Sequence, residues 1–232
     1  MGNKRSAVIF DLDGTLWDAT ASSCDIWNRV FEKHKEANLR MTPEISKGLM
    51  GKTMEEIGDI LLPQLPIADR RAITDEFGAE EVAYLQENGA VLYPGVRDTV
   101  CSLSKEYDLF IVSNCQDGYA PAFLKAHDMG AFFRDIEMSG RTGLNKAENI
   151  RLLMDRNGIG RACFVGDTDD DEKAARTAGI PFIRAAYGFG NAQVPDAVIH
   201  SITELPGLLE SLLTNSVLQR RQISGSSEST VI

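Results

Sequence analysis

Residues 6–15 read Ser6-Ala7-Val8-Ile9-Phe10-Asp11-Leu12-Asp13-Gly14-Thr15, an apolar run that ends in two acids one residue apart. A short run of this kind, apolar without alternation, is what a strand buried on both faces of a parallel sheet requires. In an extended segment residues i and i+2 point the same way, so the carboxylates of Asp11 and Asp13 emerge together at the end of the strand. Gly14 lets the chain turn there without a Cβ penalty.

Further along, Leu109 to Val112, Cys163 to Val165 and Pro181 to Ile183 have the same character, with Ile136 to Met138 as a weaker fifth strand. Each run is followed by a polar turn, and stretches of helical periodicity separate them, which predicts an α/β core with a parallel sheet. Between Thr15 and Tyr93 no comparable strand is expected. Ile26, Val30, Phe31 and His34 recur at helical spacing, as do Ile57, Ile60 and Leu61, and then Phe77, Val82 and Leu85. The expected organisation is therefore a core of residues 1–15 and 93–214, an inserted all-helical cap of residues 16–92, and a flexible polar tail of residues 215–232.

Composition narrows the function classes. The chain has 232 residues, 43% hydrophobic and 25% charged, with a formal net charge of −10. Such a balance disfavours nucleic acid and anionic membrane as partners, because phosphate contacts need clustered Lys and Arg. The four cysteines, Cys24, Cys101, Cys115 and Cys163, have neither zinc-ligand nor disulfide-framework spacing and fit reduced thiols in a cytoplasmic protein. Residues 1–10 contain no signal peptide or membrane span.

The negative charge matters more if it is concentrated. Asp11 and Asp13 repel each other, and a hard divalent cation relieves that repulsion; magnesium suits a site that also holds phosphate. Alone, the stretch reads equally well as an acidic turn. Val112-Ser113-Asn114 ends a second strand with a hydroxyl and amides suited to phosphoryl oxygens. Val165-Gly166-Asp167-Thr168-Asp169-Asp170-Asp171 ends a third and opens a helix. Four acids in those last five positions are costly unless a cation or a helix N-terminus offsets them. All three sites fall at C-terminal strand ends, where open α/β sheets bind ligands.

In this order Asp11-Leu-Asp13-Gly14-Thr15, Ser113-Asn114, Lys146 and Gly166-Asp167-Thr168-Asp-Asp-Asp171 resemble the motifs of the haloacid dehalogenase-like superfamily, specifically its phosphoglycolate phosphatase-like branch with a helical cap. Lys146 is chosen by its place in Gly140-Arg-Thr-Gly-Leu-Asn-Lys146 before a helix. Gly188-Phe189-Gly190 resembles a loop of the same group. The resemblance implies a Rossmann-like, doubly wound parallel sheet, with Asp11 as nucleophile and Asp13 as general acid and base. It implies magnesium held by Asp11, the Asp13 carbonyl and Asp167, with Asp171 orienting a metal-bound water. Ser113, Asn114 and Lys146 would neutralise the phosphoryl group, with Thr15 and the cap-loop residue Lys52 as further substrate contacts.

The expected activity is magnesium-dependent hydrolysis of a small phosphomonoester, phosphoglycolate-like or a sugar phosphate, by a monomer or weak homodimer. An acid at position 13 favours phosphoryl transfer over dehalogenation, which has no oxygen leaving group to protonate. Two alternatives stay open. A β-phosphoglucomutase-like phosphomutase would use the same residues, and a phospho-accepting receiver-type module also gathers acids, Ser/Thr and Lys at strand ends.

Overall fold

The computed structural model describes residues 6–213; the tail expected over residues 215–232 lies outside them. A six-stranded parallel sheet is built from β1 (Ala7–Phe10), β4 (Asp108–Ser113), β5 (Phe133–Met138), β6 (Ala162–Gly166), β7 (Phe182–Ala185) and β8 (Ala197–Ile199), in the order β5-β4-β1-β6-β7-β8. From β1 the chain winds outward through β4 and β5, then returns to the other side through β6, β7 and β8. The winding reverses at β1, so the crevice at its C-terminal end is where such a sheet presents ligands.

Strand alternation explains the two layers around the sheet. Val8, Phe10, Leu109, Ile111, Cys163 and Val165 face one way, into a core completed by α5 (Val96–Leu103), α6 (Tyr119–Ala126) and a helical segment of residues 205–213. Ala7, Ile9, Phe110, Val112 and Phe164 face the other way, against α8 (Lys146–Arg156) and α9 (Asp169–Ala178). Neighbours in one strand thus serve opposite cores, the reason these runs carry no polar residue.

Helices α1 (Thr20–Lys33), α2 (Pro43–Leu49), α3 (Met54–Leu61) and α4 (Ile67–Asn88) build a third cluster of their own, centred on Ile26, Trp27, Val30, Ile57, Ile73 and Phe77. Trp27 stacks on Phe77 with ring centroids 3.9 Å apart. Ile60 departs from the periodic reading: it is 52% exposed, because the short α3 buries only the stripe through Ile57, Gly58 and Leu61.

Strands absent from the sequence expectation appear where the chain enters and leaves this helical layer. Two-residue β2 (Trp17–Asp18) pairs antiparallel with β3 (Val91–Leu92), which ties the outgoing and returning segments together. Trp17 belongs to the sheet side, packing edge-on against Tyr119 and Phe123, while Trp27 belongs to the helical layer. Strand β8 also escapes prediction; three residues of edge strand leave too short a pattern to read.

Candidate active site

The end of β1 is shaped by a single tight turn. The amides of Thr15, Leu16 and Trp17 all donate to the Leu12 carbonyl, at 3.1, 2.8 and 3.3 Å, and Gly14 takes φ 81° to allow it. Asp11 and Asp13 are held buried at the rim of this turn. From the neighbouring strands Ser113 ends β4 and Asp167 follows β6, both buried, and α8 and α9 bring in Lys146 and Asp171.

These side chains meet. Lys146 Nζ donates to Asp11 Oδ1 at 2.9 Å and to Asp171 Oδ1 at 2.6 Å, all three groups being shielded from water. Asp171 Oδ2 accepts from the Asp167 and Thr168 amides at 3.1 and 3.0 Å and from Thr168 Oγ1 at 2.8 Å, so it also closes the capping box of α9. Asp167 Oδ2 accepts from the amides of Phe189 and Gly190 at 2.7 and 2.9 Å. Tyr119 Oη donates to Asp13 Oδ1 at 2.8 Å.

Two carboxylate oxygens remain. Asp11 Oδ2 and Asp167 Oδ1 are buried without a hydrogen-bond partner, and carboxylate oxygens of Asp11, Asp167 and Asp171 all lie within 4.8 Å of one another. Four buried acids against one lysine leave uncompensated negative charge. Burial raises the Asp11 carboxyl to about 6 against the pull of Lys146, with Asp171 adding to the rise. Burial, then Asp171 and Asp11, raise Asp167 to about 7. Burial and then Asp11 push Asp13 well above the usual carboxylate range. Burial alone would lower Lys146, but Asp11 and Asp171 hold it above its ordinary value. A hard cation with oxygen ligands fits this donor set, since it would take up the two orphaned oxygens and the excess charge together.

Asp11 and Asp167 bind protons in the native state over a range, from about 4 to about 7, in which the unfolded chain has already lost them. Their contribution to stability is therefore full below the unfolded value and is lost as pH rises through 6 to 7. Thermal melts of metal-free protein should show millimolar magnesium raising Tm clearly at pH 8 and little at pH 5. Equal shifts at both pH values would contradict a cation at these acids.

The loop after β7 was legible only as a resemblance, yet it sets the position of Asp167. Gly188 lies so close to the β1 turn that a Cβ there would stand 2.3 Å from the Gly14 carbonyl oxygen and 2.5 Å from Asp167 Cβ. Gly188→Ala is expected to destabilise the protein by about 1–3 kcal/mol through overpacking, measured by denaturant unfolding. No loss of stability would mean that this approach is not tight.

The helical layer reaches the site from above. The Asn114 side chain donates to the Gly51 carbonyl at 2.8 Å and accepts from Ser139 Oγ at 3.1 Å, tying the Gly51-Lys52-Thr53 loop to the sheet edge. Beneath that loop lies a small cavity of about 40 Å³ whose lining includes Asp11, Asp13, Ser113, Asn114 and Lys52. Thr15 is buried with Oγ1 unpartnered, but it is not part of that lining; its carbonyl accepts from Tyr187 Oη at 2.9 Å. Tyr119 and Glu81, on α6 and α4, and Gln116, in the loop after β4, also line the cavity; none of the three belongs to a motif that marks it in the sequence.

Among the described residues no helix is long and apolar enough to cross a membrane. Residues 8–185 match the family model described as haloacid dehalogenase-like hydrolase. Phosphoglycolate phosphatase of Escherichia coli (strain K12) is 27% identical over 227 residues, covering 85% of this chain and 90% of its own. That of Pseudomonas putida is 28% identical over 259 residues, covering 99% and 89%. Among solved structures, a haloacid dehalogenase-like family hydrolase from Streptococcus pneumoniae superimposes with a TM-score of 0.72 at 25% identity, over 88% of this chain and 98% of that one. CbbY from Rhodobacter sphaeroides, solved in complex with phosphate, gives 0.73 at 21% identity over 87% and 96%, a likeness of fold. With its six-stranded parallel sheet and its acids gathered at the end of β1, the chain belongs to the haloacid dehalogenase-like hydrolase family, in the phosphoglycolate phosphatase-like branch.

Proposed function

We propose that this protein is a magnesium-dependent phosphomonoester hydrolase that works through an aspartyl-phosphate on Asp11. The observation that carries the reading is the pair of orphaned, buried oxygens, Asp11 Oδ2 and Asp167 Oδ1, beside a lysine that already neutralises one side of Asp11. The family and the phosphoglycolate phosphatase relatives support the same chemistry.

Asp11, the carbonyl of Asp13 and Asp167 would hold the ion. When bound, it supplies positive charge that lets an anionic carboxylate approach an anionic phosphate. Asp11 attacks phosphorus while Asp13, oriented by Tyr119, gives its proton to the departing ester oxygen. Ser113, the Asn114 amide and Lys146 hold the transferred phosphoryl oxygens, with Ser113 and Lys146 fixed in advance by burial. Asp13, now ionised, takes a proton from water as that water attacks the aspartyl-phosphate, which returns Asp11 and releases inorganic phosphate. Asp171 holds Lys146 and the Asp167 loop in place.

In this reading the helices of residues 16–92 act as a cap. They cover the site at Gly51 and Gln116 and exclude bulk water from the reacting phosphate. Water must still reach the intermediate, so the cap opens or admits it between the two steps. Phosphatase names among the relatives favour transfer to water over transfer to a second sugar hydroxyl. Incubation with p-nitrophenyl phosphate tests the reading: phosphate release with magnesium, abolished by a chelator and restored by the metal, is expected. Release that ignores the chelator, or no release at all, contradicts it.

A further inference from the structure

The cavity above Asp13 is lined on the cap side by an acid that phosphoryl transfer does not use. Glu81, on α4, is 3% exposed, and its two carboxylate oxygens are held by different elements. Ser23 Oγ on α1 donates to Oε1, and Gln116 Nε2, from the loop after β4, donates to Oε2 at 2.8 Å. Both partners are donors. Burial raises the Glu81 carboxyl to about 7, and above that pH each of its oxygens keeps acceptor capacity after its single protein bond. Gln116 Oε1, turned away from that bond, is a buried acceptor with no partner. Ser23, Glu81 and Gln116 all border the same small cavity as Asp11 and Asp13, with Trp27 and Phe77 as its aromatic wall.

The phosphoryl group belongs at Asp11, so what extends past Asp13 toward α4 is the leaving group. A buried acceptor without a donor is costly, and a ligand that brings a donor relieves that cost. Aliphatic or carboxylate leaving groups bring none. A carboxylate would instead add negative charge beside Glu81 in a lining where Lys52 is the single cation and Asp11, Asp13 and Glu81 are the acids. Space of about 40 Å³ admits only a few non-hydrogen atoms in the closed arrangement.

Resting on the hydrolase reading, we infer that Glu81 and Gln116 determine leaving-group specificity, selecting small phosphomonoesters whose alcohol carries a hydroxyl or an ammonium near the ester oxygen and rejecting those that carry a carboxylate. The shared chemistry is hydrogen-bond donation to two fixed acceptors. An ammonium would gain further from the charge of Glu81, and a hydroxyl would gain from geometry alone.

The test compares kcat/KM for glycerol phosphate, ethanolamine phosphate and phosphoglycolate, esters of similar size, with p-nitrophenyl phosphate as a probe of the chemistry itself. At least one of the first two should exceed phosphoglycolate by about tenfold or more, and their order tells hydroxyl from ammonium. In Glu81→Gln, which removes the charge at nearly constant shape, the preference over phosphoglycolate should shrink severalfold. Phosphoglycolate as the best of the three in the wild-type enzyme overturns the inference without need of a variant. An unchanged ratio in a folded Glu81→Gln protein overturns it too. If p-nitrophenyl phosphate is hydrolysed in either case, only the specificity claim falls; if no ester is hydrolysed with magnesium, the hydrolase reading falls and takes the inference with it.

Discussion

Asp11→Asn is expected to lower phosphomonoester turnover by about 10⁴-fold or more while leaving the fold in place. The amide is nearly isosteric with the carboxylate and can still accept from Lys146 at the position of Oδ1, so Lys146 keeps both of its contacts, the other being to Asp171. It cannot form an acyl phosphate. The same replacement removes one of four neighbouring buried acids, of which only Asp11 and Asp171 are paired with Lys146. Metal-free Asp11→Asn should therefore be at least as stable as the parent at pH 8, where the parent bears its acids ionised. Loss of activity together with collapse of the fold would point to a structural part for Asp11 instead.

Lys146→Ala should have the larger effect on stability. Among the described residues Lys146 is the one cation touching Asp11 and Asp171, at 2.9 and 2.6 Å, and all three groups are buried. Its removal leaves carboxylates facing each other without water, and breaking a buried pair in this way costs about 3–5 kcal/mol. The cost should fall at pH 5, where Asp11 can take up a proton because burial has already raised it to about 6. Lys146→Met separates charge from volume: it refills the space but not the charge, so it should be nearly as unstable at pH 8. Urea unfolding of both variants at the two pH values gives the answer, and a loss below about 1 kcal/mol at pH 8 would show that the lysine is not needed to hold the acids.

How far the sequence speaks depends on how locally each feature is encoded. The Asp11 and Asp13 pair is legible because the period of a strand is two, and a two-sided apolar run announces a buried parallel strand. The α/β class and five of the sheet strands follow from the same patterning. Lys146 carries no such signal: a lysine at a helix start is ordinarily solvated, and only the order of the motifs singles it out. The amides of Phe189 and Gly190, which hold Asp167, are backbone groups and leave no residue type to read. Tyr119 meets Asp13, 106 residues away, through a fold-level contact that no local pattern encodes. Glu81 is harder still, since on α4 it reads as one more exposed acid until Ser23 and Gln116 are seen to cover it.

The short strands fail for a related reason. Trp17–Asp18 and Val91–Leu92 are too brief for periodicity, and they become strands because they pair with each other where the chain crosses between layers. Ile60 marks the opposite error, an apolar residue at an apparently helical spacing that the short α3 turns to solvent.

The covalent role of Asp11 can be read directly in the Asp13→Asn protein, which lacks the group assigned to activate water. With an aryl phosphate, whose leaving oxygen needs little protonation, this variant should form the phosphorylated enzyme and release it slowly. Acid quenching followed by peptide mass spectrometry should then find one phosphoryl group on the peptide containing Asp11, labile to hydroxylamine and absent when Asp11→Asn is added. A phosphoryl group on any other residue, or turnover by Asp13→Asn with no phosphorylated protein at any time point, would contradict the account.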